Sequence, residues 1–411
     1  MGPITLFDKS FLQSISTDEA VWFDHFFMPV VCPIFYVETL ADLAKKASPH
    51  RTPEDIVRDI ANKFPELSGG PCSFHIDLCT HNLLGYEVAM DGRVPRPGGR
   101  LVKSGVIFEA TPEEEAFRRW HRGEFQEIER IVAAVWRKQL SELDLTAVAK
   151  ELRALGIDGK SCKSLQQARD VAQAVIKGTT NPQALLALGA LFLHIPAHLH
   201  QRIYRAWETA GRRPLDQFAP YAAHVLTVEI FFQIALAAHL IDSGRPSNRT
   251  DIAYLFYLPF CMLFISSDHL HWRCAPLFLR PDQEFVWGVD LKPGLTTVNA
   301  HFLQVPEAER EKGIMSFAHA PPVGNIVADV WDRHLREGYR KEPKAIQRDP
   351  EKDAELIRRF KEFHKQPTLR PGELGGEDEI MSVERSVRRK RGNWWQVPKD
   401  LRDPPDKDKA D

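Results

Sequence analysis

Two aspartates near the middle of the chain are spaced so that their side chains could hold a divalent metal ion. Asp251 and Asp268 lie 17 positions apart in DIAYLFYLPFCMLFISSDHLHWR. Asp268 follows CMLFIS, a run typical of a buried parallel strand, and such a strand ends in the crevice where open α/β sheets bind ligands. Two carboxylates at one edge repel unless a cation lies between them. The pair therefore indicates a metal site, although each acid could instead serve only as a helix cap.

Two further acids occupy comparable positions near the N-terminus. Asp8 ends PITLF, a short β-prone run, and a predicted helix with a turn at Ser14–Asp18 follows it. Glu38 lies in the first turns of a predicted helix, IFYVETLADLAKKA, which comes directly after the strand-like run PVVCP. Because parallel strands end at one edge of their sheet, we expect both acids to lie beside the first pair.

These four segments resemble a PIN domain, a metal-dependent nuclease fold. Its pattern has an Asp that closes the first strand, a Glu in the helix after the second strand, and a late pair of Asp residues around a helix and a strand. The chain provides Asp8, Glu38, Asp251 and Asp268 in that order, with a 30-residue gap between the first two. Pro33, five positions before Glu38, also suits the family.

The chain departs from an ordinary PIN domain in its length between the second and third acids. More than 200 residues separate Glu38 from Asp251. The resemblance implies an α/β fold with a central parallel sheet flanked by helices, divided into residues 1–60 and 241–340. Residues 61–240 are predicted to be an insertion, with a hairpin around Asp91-Gly92 and Gly98-Gly99 and then helices, and residues 341–411 a charged extension. The alternative is that the N-terminal match is accidental.

The resemblance implies a metal-dependent phosphodiesterase, an endoribonuclease acting on single-stranded RNA with Mg²⁺ or Mn²⁺. Cleavage of DNA remains an alternative activity within the wider superfamily. Replacing Asp8 or Asp251 with Asn is expected to abolish cleavage while stability stays near that of the wild type. The implied catalytic and metal residues are Asp8, Glu38, Asp251 and Asp268, with Ser10 and Ser267 as neighbours that contact a ligand or a phosphate.

Two other functions remain open from the residues. The first is a helical protein-interaction module on an inactive PIN-like core, with a binding surface on residues 111–241 and a regulatory protein as its partner. The second is a metal-dependent hydrolase of another fold that uses the chain's histidines.

Basic residues near the C-terminus form a second candidate feature. Arg385, Arg388, Arg389, Lys390 and Arg391 stand just before Trp394 and Trp395. Such a cluster can neutralise phosphates and stack bases, so Arg388, Arg389 and Arg391 are candidate RNA-binding residues. The same pattern equally fits two tryptophans that dock the tail on the body. Arg93, Arg96 and Arg100 form a smaller group, for which a solvated loop is the favoured interpretation.

Composition points to a cytoplasmic protein without a membrane partner. The 54 basic and 56 acidic residues nearly balance, so no global charge drives binding to nucleic acid or lipid. Six scattered cysteines suit reduced thiols, and the N-terminus carries no basic-then-apolar leader pattern. The most apolar stretch, 221–241, includes Glu229, which favours a buried helix over a membrane span.

Overall fold

The computed structural model describes residues 2–154, 162–178, 182–336, 338–340, 350–370, 380–399 and residue 402. Parts of the predicted 341–411 extension therefore lie outside the described residues. The strands of the described part are β1 Ile4–Phe7, β2 Met28–Val31, β3 Gly70–Pro71, β4 Gly99–Val102, β5 Gly105–Phe108, β6 Leu263–Ser266, β7 Glu284–Trp287, β8 Ile380–Val383, β9 Lys390–Arg391 and β10 Trp394–Trp395.

Helices make up most of the remaining described chain. The α-helices are α1 Lys9–Ser14, α2 Thr17–Phe26, α3 Pro33–Leu40, α4 Pro53–Lys63, α5 His75–Leu83, α6 Pro112–His121, α7 Glu127–Glu142, α8 Leu145–Ala154, α9 Leu165–Gly178, α10 Pro182–Phe192, α11 His200–Thr209, α12 Leu215–Phe218, α13 Pro220–Ala237, α14 Asn248–Ala253, α15 His269–Cys274, α16 Gly288–Phe302, α17 Glu307–Arg310, α18 Ile326–His334 and α19 Pro350–His364. Short 3₁₀ helices cover Ala41–Ala44, Ala197–Leu199, Tyr254–Phe260, Ala275–Leu277 and Ile314–Ser316.

A five-stranded parallel sheet organises the core, in the order β3-β2-β1-β6-β7. β1 lies at its centre, where Thr5 pairs with Pro29 of β2 and with Leu263 of β6. Helices cover the sheet, so β6 is buried along its whole length and reads as an unbroken apolar run until Ser266. The predicted α/β class with a central parallel sheet is thereby confirmed.

Capping residues in the sequence set the turns between the first elements. Asp8 caps α1 by accepting from the Phe11 N–H, and Ser16 forms a capping box with Glu19 at the start of α2. Each cap satisfies backbone donors that a helix start leaves free. The predicted turn between the two helices is therefore confirmed.

The edge strand of the central sheet lies beyond the predicted boundary at residue 60. β3 pairs in parallel with β2, with Val30 opposite Gly70 and Val31 opposite Pro71. The first part of the sheet therefore extends to at least Pro71. Sequence alone could not show this, because a two-residue strand has no periodicity.

The predicted hairpin is present, but its turn lies elsewhere. β4 and β5 pair antiparallel around Lys103-Ser104, and β8 from the C-terminal extension adds in parallel to β5. The Asp91-Gly92 turn instead ties a loop to the core, since the Gly92 N–H donates to the Pro259 carbonyl at 3.1 Å. The insertion and the extension thus share one small sheet.

Helix α13 is, in the described part of the chain, the one helix long and apolar enough to cross a membrane. Within the protein, 78% of that span is buried. It packs against α8 and α9 on one side and α5 on another. Its charged residue, Glu229, is buried and paired with Arg249 at 2.5 Å. This packing matches the predicted buried helix.

Candidate active site at the carboxyl edge of the sheet

The four predicted acids meet through one hydrogen-bonded network. Asp8 follows β1 and contacts His271 Nδ1 at 3.2 Å, and His271 Nε2 lies 2.6 Å from the backbone oxygen of Asp251. Tyr254, three residues after Asp251, donates its hydroxyl to Glu38 at 2.7 Å. Asp268 caps α15 directly after β6. The parallel sheet and its short connections thus bring the four elements to one edge.

The Asp8 carboxylate is buried and already occupied by donors. Oδ1 accepts from the Phe11 N–H at 2.9 Å, and Oδ2 accepts from Ser10 Oγ at 2.7 Å and Ser266 Oγ at 2.8 Å in addition to His271. Burial acts to raise the pKa of Asp8, but the hydrogen bond and charge of His271 outweigh it and hold the pKa below its ordinary value. Asp8 is therefore ionised and held rigidly.

His271 carries a positive charge in this arrangement. Its Nε2 faces a backbone carbonyl, which only accepts, so Nε2 carries a proton. Its Nδ1 faces the Asp8 carboxylate and the Ser266 hydroxyl, whose own proton goes to Asp8, so Nδ1 also donates. Burial lowers the pKa of His271, but the hydrogen bond and charge of Asp8 more than offset it and raise the pKa to about 9.

Asp251 is in the opposite electrostatic situation. Its Oδ2 is buried and has no hydrogen-bond partner. Burial, with the charges of Glu38 and Asp268, raises the pKa of Asp251 to about 7, although His271 and Arg245 act against that rise. Asp251 Oδ2 thus has no hydrogen-bond donor, and two carboxylates act on it, so a cation bound there would stabilise its charged form.

Glu38 and Asp268 are more exposed than Asp8. The side chains of Glu38 and Asp268 are 23% and 17% exposed, whereas that of Asp8 is 4% exposed. Glu38 is held by Tyr254 and lies 3.6 Å from Lys9 Nζ. Asp268 accepts from the Leu270 N–H at 2.6 Å and lies 3.7 Å from exposed Arg245.

The two predicted serines link the first acid to the strand-end loop. Ser10 Oγ donates to Asp8 and accepts from the Ser267 N–H at 3.1 Å. The Ser267 hydroxyl is buried and has no partner. Gly288 packs directly on this hydroxyl, and a Cβ there would overlap it. Ser267 is thus the second polar group at this edge without a partner.

The two sides of this edge differ in what they offer a divalent cation. Among the described residues, no three or more His, Cys, Asp or Glu side chains lie close enough together to hold a metal ion. The Asp8 oxygens are taken by donors, so Asp8 does not offer a free ligand. The partnerless oxygen of Asp251, beside the partly exposed Glu38 and Asp268, has the hard-oxygen chemistry that Mg²⁺ and Mn²⁺ prefer.

Three residues at this edge, His271, Lys9 and Tyr254, were not predicted from the sequence. His271 is the third residue of α15, so its side chain turns back towards the strand that Asp268 follows. Lys9 pairs with Asp42 at 3.2 Å as well as with Glu38. Tyr254 lies one helical turn after Asp251. The signals were weak, because single His, Lys and Tyr residues in apolar stretches are common core residues.

Two arginines of the C-terminal basic cluster pair with acidic residues of the protein itself. Arg391 is 3% exposed and lies 3.0 Å from Asp24, and Arg388 pairs with Glu66 at 2.8 Å. Trp394 is buried against Trp22, with ring centroids 4.6 Å apart. The prediction that Arg391 contacts RNA is therefore wrong, because no phosphate can reach a buried guanidinium. Of the three candidates, Arg389 alone is exposed.

The described residues form an α/β protein with a parallel sheet, and acidic side chains follow several of its strands. No known protein family, curated protein or solved structure matches the chain. What this edge does must therefore be argued from its own chemistry.

We predict that Asp8→Asn destabilises the protein in a pH-dependent way, contrary to the near-neutral effect expected from sequence. The folded-state pKa of His271 is raised from 6.5 to about 9. Its ion pair with Asp8 therefore contributes fully to the stability of the folded protein below about pH 6.5, and this contribution is lost as the pH rises through 9. With about 1.4 kcal/mol per pKa unit, the loss is about 3 kcal/mol. Urea unfolding of both proteins from pH 6 to 9.5 should show this gap shrinking. A gap that is constant with pH would contradict the charged pair.

Proposed function

We propose that the chain is a metal-dependent phosphodiesterase, PIN-like in its acidic edge, that cuts single-stranded RNA in the cytoplasm. One observation carries the proposal. The Asp251 carboxylate is buried, has a partnerless oxygen and lies beside Glu38 and Asp268. Burying this carboxylate oxygen without a partner is costly, and proteins keep such costs chiefly at functional sites.

In this proposal the side chains of Glu38 and Asp268 turn towards Asp251 to hold the ion with it, and Asp8 acts through His271. Bound there, Mg²⁺ or Mn²⁺ lowers the pKa of a water and neutralises charge on a phosphate. Tyr254 fixes Glu38 through its hydroxyl, and the Asp8–His271 pair fixes the backbone at Asp251. Both contacts reduce the reorganisation that binding an ion would otherwise require.

One exposed group at the same edge suits a phosphodiester, whereas the partnerless Ser267 hydroxyl is buried under Gly288. The Arg245 side chain is 58% exposed and borders Asp268, where it can approach a phosphate oxygen. RNA as the substrate follows only from the resemblance to PIN domains.

A second candidate function is favoured by two separate observations. The Asp8 carboxylate is saturated by donors, as expected of an inactive core. Helix α7 also exposes four apolar side chains at helical spacing, each at least 45% exposed, which are Ile128, Ile131, Val132 and Val135. Such a face is typical of a helix that docks a partner protein, as the predicted interaction module on residues 111–241 requires.

Calorimetric titration with Mn²⁺ separates these two functions. The nuclease proposal predicts that the wild type binds Mn²⁺ and that Asp251→Asn weakens binding at least tenfold, because a ligand oxygen and a charge are lost. Asp290→Asn is the matched control, an exposed acid in the first turn of α16, and should bind as the wild type does. No binding by the wild type would favour the inactive core.

A further inference from the structure

Three arginines lie in the loop and strand before the hairpin turn, and one of them, Arg96, lacks the acidic partner that the other two have. Arg93 pairs with Asp91 at 2.9 Å, and Arg100 lies 3.5 Å from Glu109. Arg96 has neither a hydrogen bond nor an ion pair with any residue in the described ranges, and its Nε is buried without a partner. Its guanidinium carbon lies 5.5 Å from the centre of the Phe108 ring.

A second arginine approaches the same place from the C-terminal extension. A Cβ built on Gly70 would lie 2.8 Å from Arg96 Nη1 and 3.6 Å from Arg385 Nη2, so both guanidinium groups lie over this glycine. Arg385 donates to the Leu67 carbonyl at 3.2 Å and has no carboxylate partner among the residues described. The absence of a side chain at residue 70 leaves the space that both arginines use.

Two adjacent and partly buried guanidinium groups repel each other, and the nearby charge of Glu114 offsets only part of the cost of burying them. Burial and mutual repulsion lower the pKa of Arg96, and burial also lowers the pKa of Arg385. Each guanidinium keeps donors that no described acceptor uses. A phosphate fits this demand, because its oxygens accept from two guanidinium groups at once.

A cavity of about 520 Å³ begins one residue along the chain from Gly70 and from Arg96, and neither arginine lines it. Its wall includes Pro71, which follows Gly70, and Pro97, which follows Arg96. The wall also includes Val31 and Cys32 at the end of β2 and residues of α3, so the cavity lies at the same sheet edge as the acidic site. Glu38 belongs to that helix too, so α3 contributes to both sites.

The lining of the cavity suits a nucleobase. Its apolar surface includes the rings of Tyr36, Phe64 and Phe74, on which a flat base can stack. Its acidic lining residues are Asp77, Glu109, Glu113 and Glu114. Their carboxylates can accept hydrogen bonds from the ring and amino N–H groups of a base, whereas they would repel a bare phosphate inside the cavity.

We infer that this cavity and the arginine pair form a nucleotide-binding site, with the base in the cavity and its phosphate between Arg96 and Arg385. The inference deepens the proposed function, on which it rests for the substrate being RNA. One nucleotide of a single strand held here would position the neighbouring phosphodiester for the acidic site across α3. Single-stranded RNA suits such a site because its bases are free to leave the stack.

Calorimetric titration with the four ribonucleoside 5′-monophosphates, in EDTA, tests the site without any cleavage. We expect binding of at least one nucleotide, and Arg96→Gln and Arg385→Gln should each weaken it tenfold or more because a charge-assisted hydrogen bond is lost. Arg96 makes no hydrogen bond to described residues, so its replacement should leave folding intact. Arg93→Gln is the matched control, since Arg93 already pairs with Asp91, and should bind as the wild type does.

Ribose 5-phosphate in the same titration isolates the role of the base. The inference predicts clearly weaker binding of ribose 5-phosphate than of the best nucleotide. Equal binding of the two, no nucleotide binding, or an Arg96→Gln variant that binds like Arg93→Gln would overturn it. Nucleotide binding by a protein that cleaves no RNA would refute the proposed function alone, and metal-dependent cleavage without nucleotide binding would refute this inference alone.

Discussion

Asp251→Asn is expected to stabilise the protein, although it removes a residue at the centre of the candidate site. The folded protein raises the pKa of Asp251 to about 7 from an ordinary value of 3.8. The folded state therefore holds a proton that the unfolded chain releases. Below about pH 4 Asp251 is protonated in both states and costs no stability. As the pH rises from about 4 to 7 the folded protein loses stability, because above pH 7 it must bury the charged carboxylate. Asparagine carries no charge to bury.

The gain in stability should appear above pH 4 and level off above pH 7. With about 1.4 kcal/mol per pKa unit, its upper bound is about 4 kcal/mol at pH 8. Thermal unfolding of both proteins across this range, in EDTA, measures it. Saturating Mn²⁺ should raise the melting temperature of the wild type more than that of the variant, because an ion that binds only the folded state stabilises it.

Asp290→Asn is the control for the loss of a negative charge alone. Asp290 is exposed in the first turn of α16, so its loss should change stability by less than about 1 kcal/mol, in the destabilising direction. A destabilised Asp251→Asn protein at pH 8 would show that Asp251 is an ordinary structural acid and would remove the main support for a metal site.

Arg391→Ala is expected to produce the largest loss of stability in the C-terminal part of the chain. Arg391 donates to the Phe64 carbonyl at 2.6 Å and to Asp24 at 3.0 Å. Asp24 is fully buried and also accepts from three backbone N–H groups, those of residues 66–68. Removing the guanidinium leaves this buried charge without its counterion, which costs about 3–5 kcal/mol.

Lys390→Gln is the matched control for Arg391→Ala. Lys390 is the exposed neighbour, with Nζ 5.4 Å from the Trp395 ring centre, and its replacement should change stability by less than about 0.5 kcal/mol. Urea unfolding followed by tryptophan fluorescence reports directly on this region, because Trp22 and Trp394 are in contact. Wild-type stability of Arg391→Ala would contradict the internal role of the arginine.

The central sheet could be predicted because its signals are local. PITLF, PVVCP and CMLFIS are short apolar runs, each followed by a polar residue or a helix start, and all three form parallel strands. The acids that follow these strands, Asp8 and Asp268, share one edge because parallel strands end on the same side. The position of Glu38 and Asp251 in the adjoining helices follows from the same geometry.

The protonation states at this edge could not be predicted, because they depend on contacts between distant segments. Asp8 lies 263 positions from His271. No sequence pattern indicates that this imidazole would pair with the Asp8 carboxylate. The same limit applies to the basic tail. Arg391 and Asp24 are 367 positions apart. The sequence therefore could not distinguish a basic cluster that binds phosphates from one that pairs with acidic residues of the core.

Cleavage of end-labelled single-stranded RNA tests the central claim most directly. The wild type, Asp251→Asn and Asp290→Asn are each incubated with Mn²⁺, with Mg²⁺ and with EDTA. The account predicts cutting by the wild type and by Asp290→Asn with either metal, none in EDTA, and at least a hundredfold slower cutting by Asp251→Asn. Equal cutting by Asp251→Asn and the wild type, or cutting that persists in EDTA, would contradict it.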